Sequence, residues 1–86
     1  MKELVFEIKD KTGLHARPAG LLSENARKFG CDIIIRCDGK EANAKRLLSV
    51  MSLGASCGKV LSLVFDGEDE NEAYKTIKKV LEEKLW

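Results

Sequence analysis

Residues 12–30 read TGLHARPAGLLSENARKFG and hold the chain's one histidine, His15, and its one proline, Pro18. Gly13 ends the alternating pattern before it, and small or apolar residues then recur at three- and four-residue spacing, as they do on one face of a helix. These residues are Ala16, Ala19, Leu22, Ala26 and Phe29. The spacing predicts a helix that begins beside His15 as its N-cap and stops at Gly30, because glycine commonly follows the last turn of a helix.

The start of this predicted helix is suited to an anion. The first N–H groups of a helix have no partner within it, and the aligned peptide dipoles leave a partial positive charge there, which favours phosphate. Pro18 fits the third helical position, because its fixed φ suits the first turn and the N–H that it lacks would be unpaired anyway. The amides of Ala16 and Arg17 are then free, and the Arg17 guanidinium adds donors that match phosphate oxygens.

His15 is a candidate nucleophile in this setting. A positive charge on its ring is repelled by the helix start and by Arg17, so the neutral imidazole is favoured. We interpret His15 as a residue that takes up a phosphoryl group, which the helix end then holds. A lone histidine at a helix start is more often a simple cap or surface residue, so this interpretation depends on the neighbouring residues.

The rest of the chain alternates between strand and helix patterns. Period-two alternation predicts strands near residues 3–9, 32–37 and 59–65, and a short polar strand over 40–44 follows Asp38-Gly39, a strong β-hairpin signal. Helical patterns cover residues 46–53 and the segment that opens at 66–69. The order strand, helix, strand, strand, helix, strand, helix indicates an α+β domain with an antiparallel sheet covered on one face by helices. The pattern leaves the order of the strands open.

The helix predicted over residues 46–53 is apolar around more of its circumference than a core requires. Its apolar residues cover an arc of about 220° at 100° per residue, whereas packing on a core needs about 100°. Val50 and Leu53 can face the sheet, and Leu47, Leu48 and Met51 then point away from it. We predict that these three form an exposed docking patch, although a covering loop is the alternative. The basic residues that rim the patch, which could equally be an ordinary solvated face, are Arg27, Lys28, Lys45 and Arg46.

Composition limits the class of protein. The 86 residues suffice for one domain, 1–86, and contain 44% hydrophobic and 34% charged residues. The net charge of +1 argues against general attraction to nucleic acid or membranes. No apolar run approaches the ~20 residues that span a bilayer, and the start does not resemble a signal peptide, so we expect a cytoplasmic protein.

The cysteines do not indicate a metal site. Cys31, Cys37 and Cys57 are odd in number and lack CxxC spacing, which favours reduced and mostly buried thiols. A site made of these three with His15 can be written down, but small core side chains are the better interpretation. We expect neither a metal nor a cofactor.

The stretch Gly13-Leu14-His15-Ala16-Arg17-Pro18 resembles the active-site signature of HPr, the histidine-containing phosphocarrier of the bacterial sugar phosphotransferase system. Residues 37–40, 50–54 and 67–70 resemble that family as well. The resemblance implies an open-faced β-sandwich with three helices on one side of a four-stranded sheet. It implies that His15 accepts a phosphoryl group on Nδ1 from phospho-Enzyme I and passes it to sugar-specific IIA domains. Such a monomeric carrier is a substrate of phosphotransferases and not an enzyme, and it meets its partners through Leu47, Leu48 and Met51.

Two positions depart from the family. Many Gram-positive members carry a serine, the target of a regulatory kinase, where this chain has Arg46. Ser49 and Ser52 lie inside the predicted helix and cannot replace it directly, so we expect that regulation to be absent. Glu24 places a negative charge near the presumed docking face, where it could narrow the set of acceptors.

Two further interpretations stay open. A nitrogen-type or single-system carrier would keep the same histidine but act mainly as a signal through its phosphorylation state. A non-catalytic binding module, for example for single-stranded RNA, is more distant, because the chain has only five aromatic residues and no strand clusters them.

Overall fold

The computed structural model describes residues 1–83, which form a four-stranded sheet with three helices. The strands are β1 (Lys2–Glu7), β2 (Asp32–Cys37), β3 (Lys40–Asn43) and β4 (Val60–Asp66). The helices are α1 (Ala16–Ala26), α2 (Leu47–Met51) and α3 (Glu70–Glu83). The order βαββαβα confirms the predicted α+β, open-faced fold. The predicted domain boundary at residue 86 lies outside the described residues.

The strands lie in the order β1-β4-β2-β3, and every neighbouring pair is antiparallel. The last strand in the chain therefore occupies a central position between the first two. Its inward residues Leu61, Leu63 and Phe65 are fully buried. The edges are formed by β1 and by the short, polar β3, a composition that discourages pairing with another chain.

One hydrophobic core lies between the sheet and the helices. Alternate strand residues such as Ile33 and Ile35 point into it, as period-two patterning requires. The opposite face of the sheet is open and presents Val5 and Val60, which are both exposed. The helical residues of this core are Ala19, Leu22 and Ala26 from α1, Val50 from α2, and Ala73, Ile77, Val80 and Leu81 from α3.

The first helix begins after its predicted N-cap, His15, but ends earlier than predicted. Ala16 is exposed, because the helix start extends beyond the core. The helix ends at Ala26 instead of continuing through Phe29, since Lys28 and Phe29 donate backbone bonds three residues back in a tightened last turn. Gly30 does not serve as the predicted stop. Its N–H donates instead to the Asp69 carboxylate at 2.8 Å, so this glycine ties α1 to the start of α3.

The limits of α2 and α3 also differ from those predicted. Helix α2 is confined to Leu47–Met51, because the N–H groups of Leu53 and Gly54 bond three residues back and Gly54 has φ +61°. Helix α3 begins at Glu70 rather than within 66–69, because β4 continues through Asp66. Cys57 is exposed, unlike the buried Cys31 and Cys37, because it lies in the loop between α2 and β4.

The Asp38-Gly39 hairpin forms as predicted. Asp38 has φ +51° and Gly39 φ +79°, which is the pair of left-handed conformations that a two-residue hairpin turn requires. Within residues 1–83, none of the helices is long and apolar enough to cross a membrane.

Candidate functional site

His15 is the N-cap of α1, as the sequence predicts. Its backbone is extended, with φ −81° and ψ −170°, and its carbonyl oxygen accepts the first helical bond from the Ala19 N–H at 2.9 Å. The imidazole makes no capping hydrogen bond to the helix, and 41% of the side chain is exposed. The ring is therefore accessible to a partner at the end of the helix.

The backbone before His15 is held against the loop that follows α2. Gly13 has φ +72°, and a Cβ atom there would lie 2.6 Å from the Ala55 carbonyl oxygen and 2.9 Å from Ser56 Cα. The N–H of the buried Leu14 donates to the same Ala55 oxygen at 2.9 Å. Only glycine fits this contact, which fixes His15 relative to the end of α2.

The first turn of α1 is open to an anion. It contains no acidic residue, and Ala16 and Arg17 are exposed while Pro18 is buried at the third helical position. Among residues 1–83, no acceptor is bonded to the N–H of Ala16 or Arg17. The partial positive charge of the helix is thus available next to His15, and the exposed Arg17 lies in the same turn.

Sequence reasoning missed Asp10. Its Oδ2 atom lies 3.7 Å from His15 Nε2, while its Oδ1 atom accepts from the Thr12 N–H at 3.0 Å and from the Thr12 hydroxyl at 2.8 Å. These bonds, chiefly the one from the Thr12 N–H, lower the pKa of Asp10 from its ordinary value. The signal was present in the sequence, since an aspartate two residues before a threonine is typical of an Asx turn.

The carboxylate of Asp10 is a charge that the electrostatic argument made from the sequence did not include. That argument counted only the helix start and Arg17, both of which oppose a positive charge on the ring. Asp10 is a negative charge on the opposite side of that balance. The electrostatic surroundings of the imidazole therefore include a carboxylate as well as the helix start.

The predicted docking patch, defined here as Leu47, Leu48 and Met51, is exposed on α2. Leu48 is 80% exposed, whereas Val50 and Leu53 are buried, as the helical arc predicts. Helix α2 contacts α1, and the chain runs from Met51 through Gly54 to Ala55, which bonds to the His15 loop. The patch and the histidine thus belong to one connected region.

The basic residues around the docking patch fall into two groups. Arg27 Nη1 donates to the Lys45 carbonyl oxygen at 3.1 Å, which joins the end of α1 to the start of α2. Arg46 is the exposed N-cap of α2 and makes no capping bond with its side chain. Lys28 instead donates to Asn25 Oδ1 at 3.2 Å. The structure therefore brings Arg27, Lys45 and Arg46 to the edge of the docking patch.

The thiols do not assemble a metal centre. In the described part of the chain, no three His, Cys, Asp or Glu side chains lie close enough together to hold a metal ion. Cys31 and Cys37 are buried, and burial together with Asp69 raises the pKa of Cys31 to about 11. A thiol that stays protonated is a poor metal ligand.

Comparisons with a family model, with a relative and with solved structures all lead to the same family. A family model described as the PTS HPr component phosphorylation site matches residues 2–83. The HPr-like protein Crh of Bacillus subtilis is 40% identical over 85 residues, which cover 99% of this chain and 100% of that protein. HPr-C-His from Thermoanaerobacter tengcongensis is 48% identical with a TM-score of 0.92, covering 99% of this chain and 96% of that one. An HPr dimer from the same organism is also 48% identical, with a TM-score of 0.79 and coverage of 100% and 99%.

Proposed function

The chain belongs to the PTS HPr family, and we propose that it carries a phosphoryl group on His15 from phospho-Enzyme I to sugar-specific IIA domains. The observation that supports this function is the exposed imidazole at a helix start whose first N–H groups and adjacent arginine have no partner among residues 1–83. Such a site receives a dianion without reorganising the fold. The protein is then a substrate of phosphotransferases and not itself an enzyme.

The proposed transfer uses the residues at the start of α1 in distinct roles. The lone pair of His15 Nδ1 attacks phosphorus as the bond to the donor breaks, and the electron pair leaves with the donor. The Ala16 and Arg17 amides and the Arg17 guanidinium stabilise the phosphoryl oxygens. Pro18 has no N–H and starts the helix in the required geometry. On transfer to the acceptor, the N–P bond breaks and its electron pair returns to Nδ1.

Intact mass measurement tests this function directly. The protein and its His15→Ala variant are incubated with phosphoenolpyruvate and a bacterial Enzyme I. We expect an acid-labile gain of one phosphoryl group on the wild type and none on the variant. The proposal fails if the folded wild type gains no phosphoryl group from any Enzyme I type that phosphorylates a control carrier.

We assign partner docking to the patch of Leu47, Leu48 and Met51 and to its basic edge of Arg27, Lys45 and Arg46. Exposed leucines beside a flexible methionine suit several partner surfaces, and the basic edge suits acidic ones. Leu48→Asp should raise the KM for phosphorylation by Enzyme I about tenfold, because a charge replaces an apolar contact. Val5→Asp is the matched control, since Val5 is 61% exposed on the open sheet face. Equal effects of the two variants would refute the assignment.

A regulatory carrier is the second candidate. The observation that favours it is the 40% identity with the HPr-like protein Crh of Bacillus subtilis, which is described as a catabolite repression HPr. A dedicated regulatory carrier should accept phosphate from one Enzyme I type only, whereas a general sugar carrier should serve several IIA acceptors. Arg46 leaves no hydroxyl at the start of α2, and Ser52 Oγ donates to the Ser49 carbonyl oxygen at 2.6 Å. We therefore propose that an HPr serine kinase does not label this protein, and that Arg46→Ser restores labelling.

The proposed carrier acts as a monomer in the cytoplasm. The three cysteines are free thiols, as is usual in a reducing compartment. The solved HPr dimer, with 48% identity, makes a dimer the alternative. Light scattering over a range of concentrations distinguishes the two states.

A further inference from the structure

The two carboxylate oxygens of Asp10 have different neighbours. Oδ1 accepts both the N–H and the hydroxyl of Thr12, at 3.0 and 2.8 Å. Oδ2 faces His15 Nε2 at 3.7 Å. The Asp10 carbonyl oxygen also accepts from the Gly13 N–H at 2.9 Å, so the turn itself is closed. The side chain is thus held on one oxygen and presents the other to the imidazole.

The histidine that faces this oxygen is also held in place. Gly13 fits tightly against Ala55 and Ser56, and the buried Leu14 is hydrogen-bonded to Ala55. His15 begins α1 through its bond to the Ala19 N–H. The backbone at both ends of the Asp10–His15 pair is therefore fixed, and the approach of the two side chains follows from the fold.

We propose that Asp10 is a positioning residue that keeps the proton of His15 on Nε2 and so leaves the Nδ1 lone pair free to receive the phosphoryl group. This inference rests on the proposed function. A carboxylate without a proton is only an acceptor, so it favours the tautomer with a hydrogen on the nitrogen that faces it. Nδ1 is the ring nitrogen closer to the backbone of His15, the residue that begins the helix.

The same contact stabilises the ring after transfer. When Nδ1 bonds to phosphorus and the donor departs with its electron pair, the ring retains the Nε2 proton and carries a positive charge. The Asp10 carboxylate faces that charge at Nε2. When an acceptor attacks phosphorus, the Nδ1–P bond breaks and its electron pair returns to Nδ1. The product is the neutral ring with its proton still on Nε2, so no proton has to be exchanged between cycles.

The test is the 15N NMR spectrum of unphosphorylated His15 at about pH 8.5, where an ordinary imidazole is neutral. Asp10→Asn is the decisive variant, because the amide oxygen can keep both Thr12 donors and direct its NH2 group at Nε2. We expect the ratio of Nδ1–H to Nε2–H tautomers to rise about tenfold or more in this variant, and roughly 2- to 10-fold in Asp10→Ala. Asp38→Asn, which removes a carboxylate paired with Lys59, should leave the ratio unchanged.

The outcomes separate this inference from the proposed function. A tautomer ratio equal in the wild type, Asp10→Asn and Asp10→Ala overturns the positioning role, whether or not Enzyme I phosphorylates the protein. A rise in the ratio of Nδ1–H to Nε2–H tautomers in the two variants supports the positioning role even if no Enzyme I acts on the wild type. In that case only the proposed function fails. With an active donor, Asp10→Asn should lower kcat with little change in KM, because the docking patch is intact. A merely structural role would leave the tautomer ratio constant in any folded variant.

Discussion

The starts of α1 and α3 are built alike and used differently. Gly13 and Gly67 each lie three residues before the first helical residue, each with a positive φ and each pressed against another segment of backbone. The first turn of α1 contains no acidic residue, whereas that of α3 contains Glu70 and Glu72. A helix N-terminus whose partial positive charge already interacts with carboxylates stabilises an external anion less.

The acids near the start of α3 are committed to the fold. Asp69 accepts from the N–H groups of Gly30 and Cys31 at 2.8 and 2.9 Å. Glu70 accepts from the Gly67 N–H at 3.2 Å and pairs with the amino terminus of Met1 at 2.7 Å. The comparison teaches that helix position alone does not make an anion site. The site also needs amides and cations without partners, as at α1 in the part of the chain that the structure describes.

The largest expected effect is that of alanine at either glycine. Gly13→Ala and Gly67→Ala should each lower the free energy of unfolding by about 2–4 kcal/mol, because strained φ adds to a backbone clash. Urea unfolding measures this loss. Gly67 meets Cys31, beyond the opposite end of α1 from His15, so only Gly13→Ala should also reduce phosphorylation of the folded fraction.

The control for the two glycines is Gly58→Ala. Gly58 has φ +90° but open space around its Cβ position, so its loss should be only about 1–2 kcal/mol. If Gly67→Ala reduced phosphorylation as much as Gly13→Ala, the two helix starts would not be independent.

The next effect is that of a reversed charge at α1. Arg17→Glu should reduce the rate of phosphoryl acceptance about 100-fold, because a carboxylate replaces a donor that faces the developing charge. Arg17→Lys should retain part of the rate, since it keeps the charge but not the planar fork. Arg36→Glu, on the open sheet face, is the control. Stopped-flow or quench-flow phosphorylation measures the rates, and equal rates for Arg17→Glu and Arg36→Glu would contradict the model.

A smaller effect concerns pH and α3. The Gly30 N–H is the main group that lowers the pKa of Asp69 below its ordinary value of 3.8. Because the folded pKa is the lower one, this stabilisation is present above pH 3.8 and is lost as the pH falls through the folded value. Asp69→Asn should therefore be less stable than the wild type at neutral pH, with the gap closing in acid. Urea midpoints of both proteins at neutral pH and below pH 3.8 test this, with Glu24→Gln as control. If the difference between the midpoints did not change with pH, the charge of Asp69 would be excluded as the cause.

The smallest effect is expected from a substitution that places an acidic residue in the first turn of α1, as in α3. Ala16 is exposed in the first turn, and Ala16→Glu should stabilise the protein by about 0.3–1 kcal/mol through the helix dipole. The same variant should phosphorylate several-fold more slowly, because its carboxylate competes for the open helix start. Ala16→Gln is the neutral control. Thermal unfolding and phosphorylation rates measure the two effects. A more stable Ala16→Glu variant with an unchanged rate would contradict the view that acidic residues distinguish the start of α3 from that of α1.

Several features followed from local patterns alone. The βαββαβα order, the Asp38-Gly39 turn and the N-cap position of His15 depend on hydrophobic period, turn residues and the position of Pro18. The exposed docking patch followed from counting how much helix surface a core can cover. These features depend on residues within one or two turns of each other, where sequence spacing is also spatial spacing.

The remaining features required the tertiary fold. The central place of β4, the use of Gly30 as a donor to Asp69, and the contact of Gly13 with Ala55 all join residues far apart in the chain. Asp10 and His15 are near in sequence, yet their approach depends on a turn held against the loop after α2. Residue types indicated that His15 could take a phosphoryl group. Which charges surround its ring was decided by packing, because electrostatic interactions depend on distances that spacing along the chain does not specify.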